Sequence, residues 1–290
     1  MWTGISFILR LQDIRLGAPD AVNSFFEIVS MPQVYLSAIL IAIFAVLWFS
    51  DRDKGEFMLF TFLSAICVSN IMKVTVKQPR PWILDSSVEP DGGAMKHTNG
   101  YSLPSGHTVA SVAGYGSLFR YVGILWKIVI AVFVFLVIFS RMYLGVHTPL
   151  DIIVGIVTGI AMIAVNIFLM KISAKDGHHF TAVRLIYAAI AAAALIIISV
   201  TDTLTVNQSV VIGSLIGASL GSVLEHKFVN YTVREFTVGK LCICLLSLIP
   251  IAVIFVAGYS FGTVSALFSA AIVMLTAVSG VPYVLKFFSK

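Results

Sequence analysis

The chain is poor in charged residues and in cysteine, and both shortages exclude classes of protein. Only 11% of its 290 residues are charged, whereas 59% are hydrophobic. No stretch of ordinary soluble composition is therefore long enough to fold as a separate soluble domain. The three cysteines, Cys67, Cys242 and Cys244, all lie in apolar runs, where their spacing supports neither a disulfide framework nor a zinc site. We interpret them as packing residues.

Long apolar runs make up most of the sequence. A helix that crosses a bilayer needs roughly 20 predominantly apolar residues, because the hydrocarbon core is about 30 Å thick and offers the backbone no hydrogen bonds. Nine runs approach that length, and polar or small residues make the third the weakest. The runs are residues 33–49, 57–76, 106–121, 125–140, 151–170, 185–200, 208–224, 241–257 and 263–285. The sequence thus predicts an all-α, polytopic membrane helix bundle of about nine transmembrane helices.

We expect residues 1–290 to form a single membrane domain with three parts. In residues 1–32, the stretch from Trp2 to Leu16 mixes apolar and charged side chains, which is typical of a helix lying in the membrane interface. Residues 33–200 hold the polar motifs described below. The helices of residues 201–290 could pack against that core, shape a lipid entrance or mediate homodimerisation, and the sequence does not choose among these.

The distribution of charge predicts membrane partners and an orientation. The net charge is +5, but the basic residues fall in short clusters between apolar runs, as expected of anchors facing anionic lipid headgroups rather than of a nucleic-acid surface. With nine spans, twelve Lys and Arg residues fall on one side of the membrane and seven on the other. Since the cytoplasmic side carries the excess, we expect the N-terminus outside.

Three polar clusters interrupt the apolar pattern, and the predicted topology puts all three at the extracytoplasmic or luminal face. Lys73 and Arg80-Pro81 stand at the end of the second run. Residues 101–107, Tyr-Ser-Leu-Pro-Ser-Gly-His, open the third run, and residues 140–151 join the fourth run to the fifth. Cations and histidines at helix ends, whose free N–H groups favour anions, describe a site for a phosphoryl group.

The third cluster also suggests a covalent mechanism. Pro149 is tolerated in a first helical turn and Thr148 can cap that turn, so Asp151 lies about one turn from His147 and can reach its ring. A carboxylate there would fix the tautomer. His147 could then attack phosphorus through its other nitrogen to form a phosphohistidine, while His107 protonates the leaving oxygen and water completes the reaction.

The motifs Lys-x6-Arg-Pro, Pro-Ser-Gly-His and Ser-Arg-x5-His-x3-Asp resemble the three signatures of the type 2 phosphatidic-acid phosphatase (PAP2) superfamily, and all three are intact between residues 73 and 151. The resemblance implies a catalytic core within residues 33–200 that works without metal or other cofactor. It also implies the following roles: phosphate binding by Lys73, Arg80, Ser105, Gly106 and Arg141, general acid catalysis by His107, and nucleophilic attack by His147 oriented by Asp151.

We therefore expect an integral membrane phosphatase acting on a polyprenyl diphosphate, a phosphatidate-like lipid or a sphingoid phosphate. A sugar phosphate stays open as substrate, because nine spans with an outside N-terminus look more like glucose-6-phosphatase than the six-span lipid phosphatases. A lipid phosphotransferase also stays open. A transporter or flippase is disfavoured because the polar residues gather at one interface. A zinc hydrolase using His97, His107 and His147 lacks the usual ligand spacing, and the vanadium haloperoxidases that share the signatures are soluble.

Overall fold

The computed structural model describes residues 4–96, 98, 100–232 and 237–288. Every regular element in these ranges is helical, which confirms the all-α prediction for the described part of the chain. Trp2, which begins the predicted interfacial stretch, and His97 of the zinc alternative lie outside it. So do Arg234 and Lys290, which entered the charge count.

The helices follow the apolar runs and the polar segments between them. Their bounds are α1 Ile5–Gly17, α2 Asp20–Ser30, α3 Pro32–Phe49, α4 Arg52–Val76, α5 Pro81–Leu84, α6 Gly92–Lys96, α7 Gly106–Leu118, α8 Ile124–Tyr143, α9 Pro149–Ser173, α10 Gly177–Thr201, α11 Val206–Leu224, α12 Val238–Ser260, α13 Thr263–Leu275 and α14 Val281–Phe287. A π-helical turn, Glu225–Val229, extends α11, and another, Thr276–Gly280, joins α13 to α14.

Seven helices in the described residues are long and apolar enough to cross a membrane, and they correspond to the second run and the fourth to ninth runs. The first run forms α3, Pro32–Phe49, which is not counted among the seven because the side chains of residues 32–35 and 37 lie outside the described part of the chain. The third run forms α7, which has only 13 residues. A polytopic membrane protein is therefore supported, whereas the count of nine spans stays a prediction.

The chain divides into two compact units, which we describe separately. Unit 1 comprises the described residues of Met1–Ala42 and Ser69–Ala164, and unit 2 those of Ile43–Val68 and Val165–Lys290. All eight residues predicted to carry the chemistry fall in unit 1. This division does not test the single-domain prediction.

In unit 1, glycines bring α7 and α9 into close contact. A Cβ on Gly155 would stand 2.9 Å from Cβ of Thr108, and one on Gly159 would stand 2.7 Å from Cγ1 of Val112. Real Cβ atoms do not approach so closely, so only glycine permits this spacing at either position. Small residues four apart are a common means of packing helices closely in membranes. The contact fixes the start of α7 against the start of α9.

The two N-terminal helices also pack within unit 1. On α1, Gln12 is buried and exchanges hydrogen bonds with the backbone of residues 87–89: Nε2 donates to the carbonyl of Ser87 at 3.1 Å, and Oε1 accepts from the N–H of Glu89 at 2.8 Å. On α2, the ring of Phe26 lies 4.4 Å from that of Tyr143 on α8. α2 is thereby held against the end of α8.

Unit 2 contains a second close helix pair and a buried charge network. Cβ atoms on Gly213 or Gly217 of α11 would stand 2.1 or 2.0 Å from backbone carbonyl oxygens of α13, so these helices meet backbone to backbone. Near the start of α4, Glu56 is 1% exposed and forms salt bridges with Arg52 and Arg184. The sequence analysis assigned no role to these charges.

Candidate active site

The end of α4 and the residues after it bring the first polar cluster against the second. Nζ of Lys73 donates to the carbonyls of Tyr101 at 2.8 Å and Ser102 at 3.4 Å. Arg80 is 5% exposed, and its Nε donates to the carbonyl of Gly100 at 3.0 Å. Two cations, 7 positions apart in sequence, thus line the same short loop before α7.

The second cluster forms the start of α7. Ser105 is the N-cap residue, and its hydroxyl accepts a hydrogen bond from the N–H of Thr108 at 3.5 Å. Its own N–H donates to the carbonyl of Asp151 at 3.1 Å, which ties α7 to the first turn of α9. A Cβ on Gly106 would lie 3.8 Å from Cε of Lys73, so this helix start faces a cation. A helix N-terminus beside a cation favours an anion.

In the third cluster, the backbone after α8 folds back toward Arg141, which is fully buried near the end of that helix. Its carbonyl accepts hydrogen bonds from the N–H groups of Val146 at 3.1 Å and His147 at 3.3 Å. The turn passes through Gly145, whose φ of 73° suits glycine. Nη1 of the Arg141 guanidinium donates to the hydroxyl of Ser30 on α2.

Asp151 is held by its own helix start. Thr148 and Asp151 exchange hydrogen bonds: Oδ2 of Asp151 accepts from the N–H of Thr148 at 2.7 Å, and the N–H of Asp151 donates to Oγ1 of Thr148 at 3.3 Å. This is the reciprocal pattern of a capping box, with an aspartate in the acidic position. The carboxylate is fully buried and has little freedom to turn.

His147 lies between that carboxylate and a cation. Nδ1 is 3.5 Å from Oδ2 of Asp151 and 3.4 Å from the hydroxyl oxygen of Ser102, which itself donates to Oδ2 at 2.6 Å. On the other side of the ring, Nη1 of Arg80 lies 3.0 Å from Nε2. Since the carboxylate is an acceptor and the guanidinium a donor, the environment favours a proton on Nδ1 and a lone pair on Nε2.

The charge around His147 keeps its ring neutral. The ring is 2% exposed, and burial is the main reason that its pKa lies well below the usual value of 6.5. The positive charges of Arg80, Lys73 and Arg141 lower this pKa further. A neutral imidazole, which carries a lone pair on its unprotonated nitrogen, is the form that can act as a nucleophile.

The structure brings the eight candidate site residues together within unit 1, whereas His97 of the zinc alternative lies outside the described residues. His107 is partly buried, and Arg141, His147, Arg80 and Lys73 all act on it electrostatically. Within the described residues no group of three or more His, Cys, Asp or Glu side chains is arranged to hold a metal ion. The arrangement places three cations, the start of α7 and two histidines together, which suits the binding of a phosphoryl group.

The sequence analysis missed two serines that contact this cluster. Ser102 stands inside the second cluster, three residues before Ser105, and its position there was the available signal. Ser30 lies far from every motif, and its sequence gives no indication that it meets Arg141.

An apolar cluster supports the loop that carries His147. Leu144 and Val146 are buried together with Ala94 of α6, and Trp82 packs against them. The guanidinium carbon of Arg80 lies 5.9 Å from the centre of the Trp82 ring, within cation–π range. The loop is therefore rigidly placed beside Arg80.

Two known proteins are similar in sequence to part of this chain. The "Lipid phosphate phosphatase delta" of Arabidopsis thaliana is 30% identical over 179 residues, which cover 55% of this chain and 40% of that protein. The "Undecaprenyl-diphosphatase" of Sulfolobus acidocaldarius is 31% identical over 109 residues, 37% of this chain and 51% of that protein. The chain thus spans about half or less of the length of these relatives. No solved structure matches it significantly.

The sequence profile of the PAP2 superfamily matches residues 57–176, a range that includes the three polar clusters. Both relatives carry names of phosphatases, in agreement with this match. Residues 57–176 of this chain are therefore similar in sequence to the PAP2 superfamily.

Proposed function

We propose that the chain is an integral membrane phosphatase that hydrolyses a phosphomonoester or diphosphate of a lipid through a phosphohistidine on His147, without a metal ion. The observation that carries this proposal is the position of His147 between Asp151 and Arg80, with Lys73 and Arg141 close enough to lower its pKa. The names of the two relatives support a lipid as the substrate.

The proposed reaction has two steps. Nε2 of His147 attacks phosphorus, the bond from phosphorus to the leaving oxygen breaks, and His107 gives that oxygen a proton. Lys73, Arg80 and Arg141, with the start of α7 at Ser105 and Gly106, stabilise the charge on the phosphoryl oxygens. Water then attacks phosphorus and gives a proton to His107. The bond between phosphorus and Nε2 of His147 breaks, and phosphate is released.

The decisive assay traps acid-labile phosphohistidine from labelled substrate on purified protein in detergent with chelator. His147→Ala should trap no label with any substrate, because the attacking nitrogen is gone. His107→Ala loses only the proton donor, typically worth about 10²–10⁴-fold, so a nitrophenyl ester should recover part of the trapping. His178→Ala, which replaces an exposed histidine of α10, is the matched control.

Two outcomes would overturn the assignment: label trapped on His147→Ala, or activity lost in chelator and restored by zinc or magnesium. A panel of phosphatidate, sphingoid phosphate, polyprenyl diphosphate and sugar phosphate then separates the lipid proposal from a glucose-6-phosphatase-like activity. Product analysis separates release of phosphate from its transfer to another acceptor.

We also propose nine spans, an N-terminus outside and an extracytoplasmic active site, on the basis of the twelve-to-seven excess of Lys and Arg. Single cysteines at Ser87 and Asp176, both exposed, test this in a background without the native cysteines. An impermeant reagent applied from outside should label the first, and the second only after permeabilisation. The reverse pattern would place the site in the cytoplasm.

A further inference from the structure

A cavity in unit 1 lies beside the proposed phosphate site and has no role in the mechanism above. It has a volume of about 200 Å³ and lies between the end of α2 and the short helix α6. Its lining residues are Glu27, Ser30, Met31, Gly93, Ala94 and Lys96.

Two contacts tie opposite walls of this cavity to the catalytic residues. On the α2 wall, the hydroxyl of Ser30 accepts a hydrogen bond from Arg141, a proposed phosphate ligand. On the α6 side, Asp91 caps the helix by accepting from the N–H of Ala94 at 2.8 Å. The N–H of Asp91 donates to the carbonyl of Leu144 at 3.0 Å, three residues before His147. A group attached to a phosphate held by Arg141 is therefore within reach of the cavity.

The polar groups of the cavity form a mixed set of donors and acceptors. The carboxyl groups of Glu27 and Asp91 share a hydrogen bond, which is the main cause of the raised pKa of Glu27; burial and the charge of Asp91 raise it further. Glu27 and Lys96 thus give the cavity both acceptors and a donor, and the negative charge of the carboxyl groups disfavours a second phosphate.

The volume of the cavity and the residues around it limit further which group can bind there. A volume of about 200 Å³ suits a small polar headgroup and is small for a long acyl chain. On the other side of α2, Phe25 and Ile28 are 47% and 52% exposed. Side chains three apart lie on one helix face. α2 therefore turns apolar side chains outward and presents Glu27 and Ser30 to the cavity, as suits a substrate whose chains stay in lipid.

We propose that the cavity between α2 and α6 is a headgroup pocket of the active site, which binds hydroxyl groups on the alcohol part of the phosphate ester through Glu27, with Ser30 joining it to Arg141. This inference rests on the proposed function. It makes α2, outside the matched superfamily domain, a determinant of substrate choice.

The test compares two substrates that differ by one group: oleoyl-lysophosphatidate and its deoxy analogue, which lacks the free glycerol hydroxyl. The readout is the ratio of their kcat/KM values in one detergent. We expect the natural chain to favour the hydroxylated substrate about tenfold, as one hydrogen bond to a partly buried carboxyl allows. Glu27→Leu should bring the ratio to within about twofold of unity, and Glu27→Gln, which keeps the shape and a donor and acceptor, should retain part of it.

Asp20→Asn is the matched control, because it removes an exposed carboxylate from the other end of α2, and it should leave the ratio unchanged. If both substrates are hydrolysed and Glu27→Leu does not change their ratio, the pocket is refuted while the phosphatase stands. If neither substrate is hydrolysed, nor any other phosphate ester, the proposed function itself fails. Thermal unfolding of each variant in detergent verifies that a changed ratio comes from folded protein.

Discussion

At the scale of single residues, Ser102 gives the site a feature beyond the expected histidine and aspartate. Its hydroxyl lies 2.6 Å from Oδ2 of Asp151 and 3.4 Å from Nδ1 of His147, whereas Nδ1 and Oδ2 themselves are 3.5 Å apart. A hydroxyl in this position can accept from the ring and donate to the carboxylate at once. We regard Ser102 as a positioning residue for the nucleophile.

Ser102→Ala should therefore lower kcat about tenfold with little change in KM, because the cations proposed to bind phosphate remain while Nδ1 of the ring loses one of its two partners. Steady-state kinetics with a nitrophenyl ester measures kcat and KM separately. Ser117→Ala is the control, since it removes another fully buried serine hydroxyl from unit 1, ten positions along α7 from His107. A rise in KM with unchanged kcat would show instead that Ser102 shapes the phosphate site.

The depressed pKa of His147 predicts a pH dependence with a definite sign. A histidine of ordinary pKa gains its proton near pH 6.5. His147, which is disfavoured as a cation by burial and by three positive charges, should stay neutral through that range. The unfolded chain then binds a proton that the folded chain does not, so this group's contribution to stability is complete above about pH 6.5 and is lost as the pH falls toward the folded pKa.

NMR of protein with ¹⁵N-labelled histidine checks this directly, and the signal of His147 is identified by its loss in His147→Gln. The signal should show a neutral ring just below pH 6.5, where a histidine of ordinary pKa gains its proton. Titration of His147 at or above pH 6.5 would contradict the expectation.

At the scale of helices, the contact between α7 and α9 sets the distance between the proposed proton donor and the aspartate. Thr108 follows His107 in the first turn of α7, and Gly155 lies one turn after Asp151 on α9. A shift of α7 at this point therefore moves His107 relative to Asp151 and His147. Close packing in such cores makes even one added carbon costly.

Gly159→Ala should destabilise the protein by about 1–3 kcal/mol through the clash with Val112, and should lower kcat as well. Combining it with Val112→Ala removes the nearest atom, Cγ1, but keeps the Cβ 2.8 Å away, so it should restore only part of both. Unfolding in detergent and kinetics on the same samples measure the effect. Gly239→Ala serves as control, because this helical glycine of α12 has open space where a Cβ would stand. An unaffected Gly159→Ala variant would mean that the helices separate freely.

The sequence predicted these helices well and their contacts only in part. Apolar runs gave the helices, because the length and composition of a span are local properties. The sequence also predicted that the candidate site residues lie at helix ends, because the motifs contain the capping residues, such as Thr148 and Asp151. Ser30 could not be found this way, since its contact with Arg141 depends on how α2 packs against α8. The cavity between α2 and α6 also depends on how α2 packs.

At the scale of the whole molecule, unit 2 contains a network that joins segments far apart in sequence. Glu56 of α4 accepts from Arg52, from the hydroxyl of Ser222 at 2.8 Å and from Arg184 of α10. Arg184 also donates to that hydroxyl at 2.9 Å. Glu225 forms a further salt bridge with Arg52. Such a network favours one packing of the helices, because a buried charge without its partner is expensive.

Removing one charged side chain of this network should therefore lower the stability of the protein more than its activity. Glu56→Gln should lower the stability of the protein by about 3–5 kcal/mol, since it leaves buried arginine charge uncompensated. The double variant with Arg184→Met should recover part of the loss. Thermal unfolding of the four proteins in a mutant cycle measures the coupling. Full stability in Glu56→Gln would mean that water reaches the network and compensates the charge.

The contact between Trp82 and Arg80 has an optical consequence. Indole emission responds to a nearby cation and to the polarity around the ring, and Trp82 lies 5.9 Å from a guanidinium proposed to bind phosphate. The chain has four tryptophans, so replacing Trp2, Trp48 and Trp126 with Phe leaves Trp82 as the only indole fluorophore. Vanadate, a mimic of the phosphoryl group, should then shift or quench its emission at concentrations that inhibit catalysis, which would give an occupancy signal independent of turnover.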